Sequence, residues 1–228
     1  KIIDRSYEDR YNDPGSPMME KNIFGRSVLA LVDGRKIFMS GNGASQDGDL
    51  PFVDEYDVIT KQSKRLWRSE APYYESGISI IDKKNNIILT RRESKDEPPN
   101  YMLRGLKDNL LNPVTEFEHP YPQMKNIYKE MLTYKRDDGL ELNATLYLPA
   151  GYDMSNPEKL PMFMWAYPRE FKDKNSASQN TSNANDFTYP YYGSPVYWVN
   201  RGYVVLDDAS FPIVGEGDEE PNDTFRNQ

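Results

Sequence analysis

The chain has 228 residues, of which 37% are hydrophobic and 13% aromatic, and its formal net charge is −8. No apolar run approaches the ~20 residues that a membrane-spanning helix requires, and the acidic excess argues against a nucleic-acid or anionic-membrane partner. Cysteine is absent, which excludes disulfides, thiolate zinc sites and a cysteine nucleophile. The only histidine is His119, so a Ser-His-Asp relay must use it or take its base from outside these residues.

The first part of the chain predicts antiparallel strands and turns. Four pairs of short β-rich runs predict hairpins, and the paired runs are 27–32 with 36–40, 56–60 with 65–68, 78–82 with 86–90, and 100–104 with 114–117. No helical periodicity separates them. Repeats of about 40–50 residues predict about two four-stranded blades of a β-propeller. Because a closed propeller needs at least ~4 blades, we expect further blades before this chain begins.

The sequence changes character at His119-Pro120-Tyr121-Pro122. Two prolines in four residues restrict the backbone and predict an extended connector over 119–127. We therefore expect residues 1–118 to be the C-terminal part of a propeller. The remaining residues, 128–228, form a different domain in this prediction.

The second part predicts the beginning of an α/β layer. Residues 128–135 and 140–148 predict a hairpin around Asp138-Gly139. The apolar run 160–166 predicts a strand buried on both faces. A helix that stops at Gly202 and a second buried strand follow. The fold class predicted for the whole chain is mostly β with α/β, namely a partial propeller followed by the first strands of an α/β domain.

Two places carry candidate chemistry. Tyr167 follows the strand 160–166, where a phenol can donate a hydrogen bond to a developing oxyanion. With 17 tyrosines in the chain, packing is the commoner role for such a residue. The acidic run 215–223 follows the second strand, at the edge where open α/β sheets bind ligands. It fits a site for a cation or a substrate amino group, or a solvated loop that caps the next helix.

Other candidate motifs lack the residue patterns that their functions require. Gly43-Ala44-Ser45-Gln46-Asp47 lacks the final glycine of a nucleophile elbow. Asp47 and Asp49 lack the spacing of a calcium loop. No serine or carboxylate pattern accompanies His119, which we interpret as an inter-domain contact. We expect neither a metal site nor a cofactor.

Several segments resemble the prolyl oligopeptidase family of serine peptidases. Residues 134–149, which contain Asp138-Gly139 and end in Leu146-Tyr147-Leu148-Pro149, are similar to the first hairpin of that family's catalytic domain. Met164-Trp165-Ala166-Tyr167-Pro168-Arg169-Glu170-Phe171 and the acidic run resemble its glutamyl endopeptidase branch. Pro51-Phe52 and Glu97-Pro98-Pro99-Asn100-Tyr101 are similar to the last propeller blades of that branch. The resemblance covers essentially the whole chain.

The resemblance implies a propeller stacked on an α/β-hydrolase domain and a serine that forms an acyl-enzyme. It implies that Tyr167 supplies an oxyanion-binding hydroxyl. Because a buried glutamate side chain needs a paired charge, we assign substrate binding to Arg169, and we add Glu216 and Asp218 as further substrate-binding residues. The family's serine, aspartate and histidine come later in the chain, so we expect them beyond residue 228 and expect this chain alone to be inactive.

Two other functions remain open on the sequence. A non-catalytic propeller module that binds peptides or proteins is compatible with the first part of the chain. A glycosidase carboxylate pair drawn from Glu216, Asp218 and Glu219 is weaker, because adjacent carboxylates on one loop seldom keep a fixed separation. The expected partner is a peptide substrate, and exposed strand edges favour self-association. The compartment stays open, since a chain without cysteine fits the periplasm and the cytosol alike.

Overall fold

The computed structural model describes residues 3–108, 110–215 and 221. It is mostly β, with 42% strand and 7% helix, and it divides into two compact units. The first comprises Lys1–Ser6, Tyr11–His119 and Asn185–Phe187, and the second comprises Tyr7–Arg10, Pro120–Ala184 and Thr188–Gln228. Within the described ranges, no helix is long and apolar enough to cross a membrane.

The first unit is built from antiparallel sheets. Its strands are β1 Ser16–Pro17, β2 Met19–Lys21, β3 Ser27–Leu29, β4 Lys36–Gly41, β5 Phe52–Asp57, β6 Ser63–Arg68, β7 Tyr74–Asp82, β8 Ile87–Glu93, β9 Asn100–Gly105 and β10 Leu111–Pro113. They form two four-stranded sheets, in the orders β1-β4-β5-β6 and β10-β9-β8-β7, and a two-stranded sheet of β2 and β3. The β5–β6, β7–β8 and β9–β10 pairs are hairpins of neighbouring strands.

The two four-stranded sheets share a hydrophobic core. Phe38 and Val53 from one sheet and Ile88 from the other are fully buried in the same cluster. Gly77 lies where the two sheets pack closely, because an added Cβ would be 3.1 Å from Ser40 Oγ and 3.2 Å from Val53 Cγ2. A larger residue at this position would push the packed strands apart.

Two of the predicted hairpins are wrong in detail. The Asp33-Gly34 turn forms, but Val32 and Lys36 make only an isolated bridge, because β3 pairs with β2 and β4 pairs with β1 and β5. The predicted strand 114–117 is replaced by β10, which ends at Pro113. Asn100 holds the following segment instead, since its Oδ1 accepts from Thr115 Oγ1 at 2.8 Å and from the Phe117 N–H at 2.7 Å.

The second unit contains a mixed sheet. Its elements are β11 Tyr128–Lys135, β12 Glu141–Leu148, β13 Met162–Phe171, the short helix α1 Lys174–Ala177, β14 Val204–Val214, and the 3₁₀ helices Pro122–Met124 and Pro195–Arg201. The strand order is β11-β12-β14-β13. The β11–β12 hairpin is antiparallel and β13–β14 are parallel, which confirms the predicted hairpin and the predicted pair of later strands.

The 3₁₀ helix before β14 packs on this sheet. Its residues Val196 and Val199 are buried in a cluster with Tyr147 and Val205, and its Trp198 stacks on Phe163 of β13 with ring centroids 6.2 Å apart. Gly202 ends the helix in a left-handed conformation with φ of 81°, as the sequence predicted. The predicted helix is thus a single 3₁₀ segment, and Pro195 begins it.

β13 does not have the burial that its apolar sequence predicted. Met162, Phe163, Met164 and Trp165 all have exposed side chains. Among the described strands β13 pairs with β14 alone, so it is an edge of the sheet as described. An apolar run identifies a strand but does not specify which elements cover it, and the prediction of burial on both faces is wrong here.

Candidate active site

The candidate site lies at the C-terminal halves of the parallel strands β13 and β14. Tyr167 is in register with Ser210 and Arg169 is in register with Pro212. Because side chains alternate along a strand, Tyr167 and Arg169 project from the same face of β13. Both candidate residues are therefore presented together at the end of the sheet where open α/β folds bind ligands.

A β-bulge in β14 lies just before these residues. Met164 is in register with Leu206 and Ala166 with Ala209, so β14 has one more residue than β13 in this interval. Asp208, inside the bulge, has φ of 46°, a left-handed conformation that aspartate adopts more readily than most residues. Bulges redirect side chains, and this one brings the Asp208 carboxylate to Arg169.

Arg169 makes an exposed ion pair with Asp208. Its Nη2 donates to Asp208 Oδ1 at 3.2 Å and approaches Oδ2 at 3.5 Å, and the two side chains are 58% and 54% exposed. In the part of the chain that the structure describes, the Arg169 guanidinium has no other hydrogen-bond partner. Its Nε and Nη1 donors thus remain accessible to a ligand, and a guanidinium can bind a carboxylate through two parallel hydrogen bonds.

Tyr167 presents its phenol to solvent. The residue is 66% exposed and its backbone is held in the β13–β14 ladder. The hydroxyl has no hydrogen-bond partner among the residues described. A strand thus fixes the backbone of Tyr167 while its hydroxyl is accessible to a ligand oxygen.

A hydrogen-bonded network anchors β14 beside Tyr167. Ser210 Oγ donates to Asn143 Oδ1 at 2.9 Å and accepts the Asn143 N–H at 3.2 Å. Asn143 Nδ2 donates to Asn180 Oδ1 at 3.3 Å, and Asn180 is buried. The network therefore links β12, β14 and the loop that follows α1. The sequence analysis missed it, because no local pattern joins Asn143 to a serine 67 residues away.

Asp207, the neighbour of Asp208 in the bulge, is the more buried of the two carboxylates. Asp207 is in register with Thr145 of β12. Burial raises the pKa of Asp207, and the nearby Asp208 carboxylate raises it further, while the Asp208 backbone N–H and Lys129 act in the opposite direction. The bulge therefore separates a carboxyl that is partly desolvated from one that is free to pair with Arg169.

The other residues that the sequence analysis considered lie elsewhere. Glu216, Asp218 and Glu219 fall outside the described residues. His119 packs edge-on against Phe187 within the first unit, with ring centroids 4.9 Å apart. Ser45 lies in the loop after β4, as predicted, and its Oγ donates to the Gly48 carbonyl at 2.8 Å. In the ranges 3–108 and 110–215, no group of three or more His, Cys, Asp or Glu side chains is arranged to hold a metal ion.

The architecture resembles solved peptidases that contain propellers. A dipeptidyl aminopeptidase IV-like protein from Bacteroides ovatus matches with a TM-score of 0.55 at 17% identity, over 84% of this chain and 25% of that one. Oligopeptidase B from Leishmania major matches with a TM-score of 0.51 at 12% identity, over 78% of this chain and 24% of that one. At these identities the similarities show that this chain shares part of the fold of those two proteins.

Sequence comparison narrows the relationship. Over its whole length the chain is 41% identical to the "Probable glutamyl endopeptidase, chloroplastic" of Oryza sativa subsp. japonica and 39% identical to the protein of the same name in Arabidopsis thaliana. It spans 26% and 25% of those two proteins. No protein-family profile matches the chain. The chain is thus similar over its full length to two proteins named glutamyl endopeptidase, which confirms the resemblance seen in its motifs.

Proposed function

We propose that this chain is a segment of a serine peptidase that hydrolyses peptides after glutamate through an acyl-enzyme. The observation that carries the proposal is the identity of 41% and 39% to two proteins named glutamyl endopeptidase, which extends over the whole chain. The chain spans about a quarter of the length of those proteins, and the activity is proposed for the full-length protein.

The proposed domains follow the sequence boundaries. Residues 1–118 are the C-terminal part of a β-propeller, 119–127 are the connector, and 128–228 are the N-terminal part of an α/β-hydrolase domain. We assign each of the two four-stranded antiparallel sheets of the first unit to one propeller blade. The repeat length predicts about two blades. The parallel pair β13–β14 belongs to the hydrolase sheet.

Tyr167 is the proposed oxyanion-binding residue. In acyl transfer a serine oxygen attacks the peptide carbonyl, and the carbonyl oxygen takes up negative charge in the tetrahedral intermediate. The exposed Tyr167 hydroxyl, which has no partner among the described side chains, supports a role as a donor to that oxygen. The nucleophilic serine, its histidine base and the orienting aspartate are expected beyond residue 228.

Arg169 is the proposed binding residue for the substrate glutamate. It projects from the same face of β13 as Tyr167 and keeps accessible N–H donors. A carboxylate that leaves water is best compensated by a charged, bidentate partner. Glu216 and Asp218, outside the described residues, are proposed to bind the substrate amino group.

Serine-directed labelling tests this proposal. The full-length protein should react with a fluorophosphonate. It should also cleave a peptide with glutamate at the cleavage site faster than the same peptide with glutamine there. The isolated chain of 228 residues should show no labelling above background, because we expect the triad beyond residue 228. Labelling of the isolated chain, or failure of the full-length protein to react, would overturn the assignment.

A second candidate is a non-catalytic propeller module that binds peptides or proteins. The observation that favours it is the first unit's own hydrophobic core and its two four-stranded sheets. The full reading frame of the gene distinguishes the serine peptidase from the non-catalytic binding module. A serine in a Gly-x-Ser-x-Gly turn after the β14 region, with later aspartate and histidine, supports the peptidase.

A further inference from the structure

We propose that Asp208 is the residue that positions Arg169 for recognition of the substrate's glutamate side chain. The inference rests on the function proposed above for Arg169 and adds a residue that no sequence pattern identified. Arg169 and Asp208 are 39 residues apart in the chain. They meet because β13 and β14 are parallel neighbours and because the bulge in β14 redirects Asp208.

The backbone around Asp208 is specialised for this contact. The bulge places one additional residue in β14, and Asp208 adopts φ of 46° there. Non-glycine residues in this conformation are uncommon and are held by the structure around them. The carboxylate therefore starts from a fixed point in the sheet, whereas the Arg169 side chain is long and exposed.

The contact with Asp208 leaves the Nε and Nη1 side of the Arg169 guanidinium accessible to a ligand. Only Nη2 reaches Asp208, at 3.2 Å and 3.5 Å from the two carboxylate oxygens. The Nε and Nη1 donors, which have no partner in the described part of the chain, remain for a second carboxylate. A guanidinium held at one corner loses less conformational freedom when a substrate carboxylate binds to its other edge.

The geometry of the ion pair predicts whether removal of Asp208 weakens or strengthens the binding of glutamyl substrates. If Asp208 positions Arg169, its removal weakens the binding of glutamyl substrates. If Asp208 instead competes with the substrate for Arg169, its removal strengthens that binding. The single-corner contact favours positioning, because the two carboxylates would use different nitrogens.

Steady-state kinetics of the full-length protein test the proposal. The variants are Asp208→Asn, Arg169→Ala and the double variant, each assayed on paired peptides that differ only in glutamate or glutamine at the cleavage site. Asparagine is nearly isosteric with aspartate and tolerates positive φ, so Asp208→Asn removes the charge while it keeps the backbone. Asp33→Asn is the matched control, because Asp33 is also an aspartate at positive φ, 51°, and lies in the first unit.

We expect Asp208→Asn to raise KM for the glutamyl peptide about two- to fivefold, the range of an exposed ion pair. KM for the glutaminyl peptide and kcat for both should not change. Arg169→Ala should raise the glutamyl KM about 10- to 100-fold, and Asp208→Asn should have no further effect in that background. Asp33→Asn should match the parent protein, and thermal melting of each variant verifies that it is folded.

The outcomes separate this inference from the proposed function. If Arg169→Ala changes the glutamate preference but Asp208→Asn does not, or if Asp208→Asn lowers the glutamyl KM, the positioning role is wrong while the peptidase assignment stands. If Arg169→Ala leaves the preference unchanged, both roles at this ion pair fail. If the full-length protein cleaves neither peptide, the proposed function itself fails.

Discussion

Glu75 provides the most direct test of how the first unit is held together. Its side chain is 3% exposed and that of Arg104 is 16% exposed. The Glu75 carboxylate accepts from Arg104 Nε at 2.6 Å, from Arg104 Nη2 at 2.7 Å and from Thr90 Oγ1 at 2.6 Å. These contacts connect β7, β8 and β9 within one sheet. Glu75→Gln keeps the shape of the side chain but leaves the Arg104 charge buried without its counter-ion.

The expected cost follows from this burial. Breaking a buried pair by removing one partner costs about 3–5 kcal/mol, and the residual exposure of Arg104 places the expected value near the lower end, at about 3 kcal/mol. At a urea dependence of about 1–3 kcal/mol per molar, the unfolding midpoint should fall by about 1–3 M. Hydrogen exchange of peptides from β7 to β9, measured at increasing urea concentration, reports this unit specifically.

Glu20→Gln is the matched control. Glu20 also pairs with a cation, Lys83 at 2.7 Å, but the side chains of Lys83 and Glu20 are 40% and 37% exposed. Exposed pairs contribute at most about 1 kcal/mol, so this variant should unfold close to the parent midpoint. Equal shifts for Glu75→Gln and Glu20→Gln would refute the argument that burial sets the cost.

Three further outcomes are expected. In the full-length protein, Tyr167→Phe should lower kcat about 100- to 1,000-fold with little change in KM, as loss of one oxyanion donor does, and unchanged kcat would remove Tyr167 from the site. Burial and the nearby Asp49, Asp186 and Glu93 carboxylates raise the pKa of Tyr74 to about 12. The unfolded chain therefore loses this proton first, so stability should decline from about pH 10 upward, and urea unfolding of Tyr74→Phe should show a smaller decline. The Arg136 guanidinium and the Leu140 N–H lower the pKa of Asp138 below its usual value, so Asp138 stabilises the fold above the unfolded pKa and this contribution disappears as pH falls. Asp138→Asn should thus lose less thermal stability between pH 7 and pH 3 than the parent protein, and an equal loss would contradict the assignment.

Local features of the fold were predictable from the sequence. The β11–β12 hairpin follows from alternating residues around Asp138-Gly139, and the stop before β14 follows from Gly202. Both depend on residues that are close in the chain, where turn chemistry and periodicity act directly.

Long-range features were not predictable. The apolar sequence of β13 identified a strand, but its exposure depends on which elements cover the sheet. The strand expected at 114–117 is replaced by side-chain hydrogen bonds to Asn100. At the candidate site, Tyr167 was proposed from family motifs, whereas the Asp208 contact requires a bulge that alternation of residue types does not reveal.

The extra residue in β14 also sets a rule for insertions and deletions. The bulge already absorbs the additional residue, so deleting one residue at 207–208 would restore regular alternation and leave Ser210 in register with Tyr167 and next to Asn143. Deletion of Asp208 would therefore remove the partner of Arg169 without turning the rest of the strand. Any attempt to graft this strand must keep the bulge if the contact between Asp208 and Arg169 is to be kept.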